Sequence, residues 1–552
     1  MIAAQLLTHF DRLADAPDAI PRLRRFILDL AVRGRLVPQD PNDEPASELL
    51  KRIAAEKKRM VEAGKVRKPK MIILVNETEI PFMLPTNWRW SQIAEIGLLS
   101  PRNETTDDTL ASFVPMPMIA ADYGEASNHE VRRWGDIKGG YTHFAEGDVG
   151  LAKITPCFQN GKSTVFRDLT GGVGSGTTEL HVVRPLFVNP NFVLLFLKCP
   201  YFIETGIPIM TGTAGQKRVP TEYFAYSPFP LPPLAEQHRI VAKADELMAL
   251  CDRLEATQAE RETTRNRMAT ASLARLNAPD PDPATFQIHI AFAFNNFTPL
   301  TTRPDQIKAL RQAILNLAVR GKLVAQNPND EPASELLRRR KIVVQGAGPF
   351  DLPGSWTWVN VGEVADSRLG KMLDKAKNKG MPREYLRNIN VRWFDFDLSD
   401  VLEMRFEDSE LPEFALRFGD VLICEGGEPG RAAVWDDRRP DIYFQKAIHR
   451  VRFQDFVDSK FFVKALRASA DDGRLSEYFT GTGIKHFTGK GLAAYLFPLP
   501  PLAEQHRIVA KVDELMAVCD RLEEGLTTNT NTQRCLLDSF LHHVLYLNGD
   551  CW

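Results

Sequence analysis

The chain has 552 residues, of which 44% are hydrophobic and 25% charged, with a formal net charge of -2. This profile belongs to an ordinary globular protein of roughly three or four folding units, and it excludes wholesale disorder and a membrane class. It also argues against coating nucleic acid by bulk charge but leaves room for a local basic footprint.

In chain order, the N-terminus has acidic residues early and no basic stretch before a long apolar run, so it does not read as a secretory signal, and the chain is placed in the cytoplasm. Leu23 to Leu50, LRRFILDLAVRGRLVPQDPNDEPASELL, is a helical border, with Asn42, Asp43 and Pro45 forming a turn that opens a second helix. The basic run from Lys51 to Lys70 offers phosphate contacts, against the alternative of a solvated helix and linker face.

Residues 85–230 carry Gly, Pro and aromatic punctuation with short apolar runs, which predicts mixed strands and helices. Gly147, Asp148 and Val149 enter a strand. The polar loop KITPCFQNGKS follows, and its Lys153, Gln159, Asn160 and Lys162 are candidates for contact through paired hydrogen bonds. Phe192 to Leu197 is too short to span a bilayer. The loop TGTAGQKRV from Thr211 offers exposed amides with Gln216, Lys217 and Arg218 to grip phosphates, with a turn that merely closes the domain as the alternative.

Pro230 to Glu255, PLPPLAEQHRIVAKADELMALCDRLE, then starts a helix at Pro232 and Pro233, with Glu236 in its first turn. Ile240, Ala244, Leu247, Cys251 and Leu254 make a seam in steps of four and three, and the helix can run to Asn277, roughly 60 Å. The predicted partner is the equivalent helix of the second half, packed antiparallel; a helix buried in one globular core is the alternative. Gln258, Arg261 and Arg265 interrupt the seam, so its far half is free to meet a partner.

The same order then recurs. Leu310 to Leu337 matches the first border at 22 of 28 positions, with a helix on Ala309, Ile314, Leu317 and Ala318 stopping at Gly321, and with Asn329, Asp330 and Pro332 at the turn. Arg338 to Lys341 sits where the first basic run sits. Residues 346–498 hold a second interior of similar size, with Gly419, Asp420 and Val421 as its strand entry. Its candidates are Lys371, Lys375, Glu425, Arg431, Gln445 and Lys446, then Lys485 and His486 in the loop TGTGIKHF. Pro498 to Glu523 repeats the trailing border at 24 of 26 positions, with Ile508, Val512, Leu515, Cys519 and Leu522 as its seam. The Thr- and Asn-rich stretch from Gly525 to Gln533 is expected to break the final helix.

Near-identical borders should pack in the same way twice, whereas unlike interiors of similar size should do the same kind of job on different targets. Catalytic signals fail in detail. Gly161, Lys162 and Ser163 end like a phosphate loop, but Pro156 stands where its first glycine must be; Gly172, Gly174 and Gly176 are out of dinucleotide register. His238 and His506 recur on the trailing helices and suit packing or partner contact better than acid-base chemistry. The seven cysteines are odd in number and include no C-x-x-C pair, which reads as reduced thiols. No catalytic residue, metal or cofactor is expected.

The layout, the doubled PLPPLAEQHRIV and the AVRGRLVPQDPNDEPASELL border resemble the specificity subunits of type I restriction-modification systems over nearly the whole chain. That resemblance implies an α+β protein with two mixed α/β target-recognition domains joined by two long antiparallel coiled-coil spacers, in an internal pseudo-two-fold duplication. The boundaries are 1–84 for the leading helical segment, 85–230 and 346–498 for the recognition domains, 231–345 for the central spacer and 499–552 for the final one. It further implies a bipartite double-stranded DNA target, two docked methyltransferase subunits and restriction or motor subunits, with no membrane. The alternatives are a stand-alone nuclease or nucleotide-dependent enzyme hidden in the interiors, and a scaffold joining two helical partners.

Overall fold

Helix α1 (Ala19–Val32) forms because Leu23, Phe26, Ile27, Leu30 and Ala31 return to one face every three or four residues, and all five are buried. It stops at Gly34, whose φ of +68° suits glycine; a Cβ there would lie 2.5 Å from Pro85. The computed structural model describes residues 16, 18–64, 66, 80–125, 127–213, 215–277, 282–343, 347–374 and 376–546. Residues 1–261 with 529–552 form one unit, and residues 262–528 a second.

In the first unit α2 (Ala46–Glu62) follows the turn, and an interior domain begins with β1 (Arg89–Gln92). Its further strands are β2 (Gly97–Leu99), β3 (Leu110–Val114), β4 (Glu130–Arg133), β5 (Thr142–Ala145), β6 (Val149–Ala152), β7 (Ser163–Val165), β8 (Val173–Gly176) and β9 (Leu180–Pro185). Helix α3 (Pro190–Lys198), β10 (Pro228–Leu231) and the long α4 (Leu234–Asn277) complete the order used below. Two four-stranded sheets result, β2-β9-β6-β7 and β4-β3-β8-β5, while β1 pairs antiparallel with β10 and so brings the interior's two ends together. Between the sheets Phe144 and Phe166 stack with centroids 3.6 Å apart. Only glycine fits beside them: a Cβ on Gly174 would meet Phe144 at 2.4 Å and one on Gly150 would meet Phe166 at 2.8 Å. Packing against Phe144 and the neighbouring strand therefore accounts for Gly174 and Gly176.

The second unit takes in α4 from residue 262 and continues with α5 (Pro283–Leu300), capped by Asp282, then α6 (Pro304–Val319) and α7 (Ala333–Arg339). Its interior has β11 (Thr357–Asn360), β12 (Ala365–Leu369), β13 (Met381–Leu386), β14 (Leu402–Phe406), β15 (Val421–Cys424), β16 (Ala432–Val434), β17 (Tyr443–Phe444) and β18 (Ile448–Phe453). Helix α8 (Ser459–Asp471), β19 (Leu496–Leu499) and α9 (Leu502–Tyr546) follow. Its principal sheet runs β12-β18-β15-β16, and β11 pairs with β19 as β1 does with β10. The protein is thus a mixture of long helices and mixed sheets, as the composition of its interiors predicts.

The borders make the same contacts in each unit. Arg24 pairs with Asp252 and Glu255 at 2.6 and 2.8 Å, and Arg311 with Asp520 and Glu523 at 2.5 and 2.9 Å. Arg239 reaches Asp43 at 2.6 Å and Arg507 reaches Asp330 at 2.6 Å, so each predicted turn is clamped to its own trailing helix. Glu236 does more than start a helix: it is buried and accepts from Gln39 Nε2 at 2.6 Å and Trp88 Nε1 at 2.9 Å, and burial raises its pKa. Glu504 likewise accepts from Gln326. Gln237 holds the Asn189 amide at 2.8 Å and Gln505 the Asp458 amide at 2.7 Å, which ties α3 and α8 to the trailing helices.

One expectation is made more specific here and one is revised. The seam residues Ile240, Ala244, Leu247 and Cys251 lie in one core with Leu23, Phe26, Ile27 and Leu30 of α1, and Ile508, Val512, Leu515 and Cys519 in one with Ile307, Leu310, Ile314 and Leu317 of α6. The leading helix of its own copy therefore helps to cover each seam, and both long helices enter these cores: Phe540 and Leu541 of α9 pack on the core that Leu254 joins, and Leu273 of α4 on the one that Leu522 and Leu526 join. The final helix is also unbroken through Gly525 to Gln533. Thr527 returns its hydroxyl to the Glu523 carbonyl at 3.1 Å, and Leu526 and Leu537 each pack against a core, so tertiary contacts outweigh poor local propensity.

Candidate nucleic-acid interface

Each interior enters its central strand through the Gly-Asp turn. Asp148 is buried and accepts from the Ala145 amide at 2.8 Å and from Arg184 at 2.7 and 2.8 Å. Asp420 is buried too, and accepts from the Arg417 amide at 2.8 Å and from Arg452 at 2.6 and 2.7 Å. Burial raises the Asp148 carboxyl's pKa against the pull of Arg184, so the pair is a strut whose loss on one side would strand a buried charge.

Beyond these turns β6 and β15 run in the same register against their neighbours. Val149 faces Val183 and Ala152 faces Leu180; Val421 faces Val451 and Cys424 faces Ile448. The next residue is Lys153 in one sheet and Glu425 in the other. Lys153 donates its amide to the Glu179 carbonyl at 2.9 Å and accepts the Val219 amide at 2.8 Å; Glu425 donates to Ala447 at 2.9 Å and accepts from Phe487 at 2.8 Å.

The Thr-Gly-Thr loops close over these strand ends. Thr211 and Arg218 exchange backbone bonds of 3.0 and 2.8 Å, and Thr480 and His486 exchange two of 2.9 Å. Thr155 donates its amide to the Lys217 carbonyl at 2.9 Å, which joins the two loops of the first interior. Beneath each loop lies a histidine that the sequence reading missed. His181 Nε2 meets the Val219 carbonyl at 3.1 Å and His449 Nε2 the Phe487 carbonyl at 2.8 Å; burial lowers both ring pKa values, leaving neutral imidazoles that donate. The signal was present as His-x-Val-Arg at 181–184 and again at 449–452, where its arginine is the partner of the buried aspartate.

Four predicted contact residues are tied to the protein itself. Arg218 forms a two-pronged pair with Glu179 at 2.8 Å on both oxygens, and lowers that carboxyl's pKa. Lys162 reaches the Met116 carbonyl at 3.3 Å, and Arg431 the Asn388 carbonyl at 2.7 Å and Glu428 at 2.9 Å. Lys371 is 9% exposed and paired with Glu410. These residues hold loops in place. Lys375 lies outside the described residues.

Lys153, Gln159, Asn160, Gln216, Lys217, Glu425, Gln445, Lys446, Lys485 and His486 have no side-chain hydrogen bond or ion pair with any described residue, and all are half-buried or exposed. A further brace went unread in the sequence: Lys198, buried with its pKa pushed down to about 7, donates to the Ala121 and Gly161 carbonyls at 2.6 and 2.9 Å, beneath the loop of Gln159 and Asn160. The described part of the first basic run is largely neutralised, with Lys51, Arg52 and Arg59 paired to Glu48, Glu44 and Glu56. Arg338, Arg339 and Arg340 are paired to Glu335, Glu331 and Asp455.

Residues 353–530 match the family of the type I restriction modification DNA specificity domain. The specificity subunit of the type I restriction enzyme EcoEI, from Escherichia coli, is 38% identical over 95% of this chain and 94% of its own length. That of EcoAI, also from Escherichia coli, is 38% identical over 94% of this chain and 93% of its own. The crystal structure of the HsdS subunit from Thermoanaerobacter tengcongensis is similar over 86% of this chain and 100% of its own, with 21% identity and a TM-score of 0.44.

Proposed function

The chain belongs to the family of type I restriction-modification specificity subunits, and from that premise we propose that it reads a bipartite, asymmetric double-stranded DNA target with two recognition domains, residues 85–230 and 346–498. One observation carries this reading: two sheets of matching register end in loops closed by the same backbone bonds, yet the side chains those loops offer are unlike. A shared scaffold with different contact residues suits two different half-sites. The long helices act as the spacer between the domains, in a pseudo-two-fold arrangement, and two methyltransferase subunits dock on that body with restriction or motor subunits beyond them. The chain's own part is recognition, and it is not catalytic.

Co-expression with a neighbouring methyltransferase subunit, followed by mapping of methylated adenines, tests this. An interrupted motif that depends on the chain is the expected result; methylation at random, or unchanged without the chain, contradicts it. Exchange of residues 85–230 for another such domain should alter one half-site only.

A further inference from the structure

We infer that the residue following the central strand, Lys153 in the first recognition domain and Glu425 in the second, is a specificity-determining position that reads one base pair in each half-site with opposite hydrogen-bonding sense. This rests on the recognition reading above. The two positions are equivalent by their distance from the Gly-Asp-Val landmarks, by strand register and by the pair of backbone bonds that flank them. One side chain is a pure donor and the other, ionised, a pure acceptor.

Lys153 acts electrostatically on Glu179 and Glu425 on His449, but neither holds that group by a contact. Both side chains are half-buried beside the closing loop, and neither has a hydrogen bond or ion pair with a described residue. Glu425 is the harder of the two to explain. Its amide bonds the residue after Lys446, its carbonyl bonds the residue after His486, and Gly426 lies so close to His486 that an added Cβ would stand 3.3 Å from Nδ1. An unpaired carboxylate in that company would repel phosphate, so on a DNA-facing surface it discriminates only by accepting from an exocyclic amino group, cytosine N4 or adenine N6. A lysine at the same place donates to the acceptor edge of guanine, O6 and N7.

The closing loops provide a contrast. Lys217 and Lys485 stand immediately before the residue that bonds back to Thr211 or Thr480, both are exposed, and both are lysine. Identical cations at matching places fit the phosphate backbone, which is the same in both half-sites.

The experiment uses the whole chain co-expressed with its methyltransferase partner, reading the methylated motif genome-wide for the natural protein and for K153Q, E425Q, E425K and K217A. An interrupted motif from the natural chain is the first requirement; without one, the recognition reading itself fails. With it in hand, K153Q should relax one base pair in one half-site and E425Q one base pair in the other, each losing about tenfold in discrimination while the opposite half-site stays intact. The intact half-site also shows that the variant is folded. E425K should shift the preferred base toward guanine, and the base preferred by the natural chain tells cytosine from adenine. K217A should weaken modification at all sites without changing the motif. Unchanged motifs in K153Q and E425Q, or relaxation in both half-sites together, would overturn the assignment while leaving bipartite recognition standing. Where a variant abolishes methylation, selection of bound sites from a random duplex library by the assembled complex gives the same two answers, and failure to recover any site counts against it.

Discussion

His181 and His449 each donate Nε2–H to the carbonyl that follows a closing loop, and this places a proton-sensitive joint under both loops. Burial lowers both rings below their ordinary pKa of 6.5, so between the folded and unfolded values the unfolded chain binds more protons. Their contribution is therefore complete above about pH 6.5 and declines as the pH falls toward the depressed folded values. Thermal unfolding should show a lower midpoint at acid pH than at neutrality, and a His181→Gln, His449→Gln double variant should lose part of that dependence; an unaltered pH slope would contradict it. The same scale separates cations paired within the protein from those left unpaired. Arg218 and Lys371 look alike in sequence to Lys217 and Lys446, yet each is neutralised by a glutamate 39 residues away.

Among the elements, the trailing helices show how much an apolar stripe can tell. Its period predicts a covered helix face, and Leu247 is indeed fully buried. It does not say which element provides the cover. Here α1 and α6 help to do so, each followed closely in its own copy by the turn that Arg239 or Arg507 clamps. Leu247→Ala should cost about 2–5 kcal/mol because the packed seam cannot fully close over the cavity. Lys243→Gln, which removes only a surface pair with Glu246, should cost less than about 1 kcal/mol. Denaturant unfolding of the two variants measures the contrast, and equal effects would mean that the seam is loosely packed.

For the whole molecule, connectivity matters most. Residues 529–546 of α9 belong to the unit that also contains α1, and there Leu537 is buried with Ala16 and Ala19 while Asp538 pairs with Arg22. Removing residues 529–552 should therefore make residues 18–261 more open to proteolysis while residues 282–528 keep their resistance; equal sensitivity of both would argue that this tail carries no weight. The sequence alone was enough to show the doubled borders, the strand-entry landmarks, the loops that close each interior and the family, because those features are written in neighbouring letters. It also suggested the loops that hold the proposed contact residues. Only the tertiary structure decided what covers the seams, that the last helix continues through its Thr- and Asn-rich stretch, which cations are already paired, and that Lys153 and Glu425 are flanked by the same backbone bonds. The reason is physical: periodicity and turn chemistry act over a few residues, whereas ion pairs, strand register and burial join residues whose separation along the chain carries no trace of their meeting.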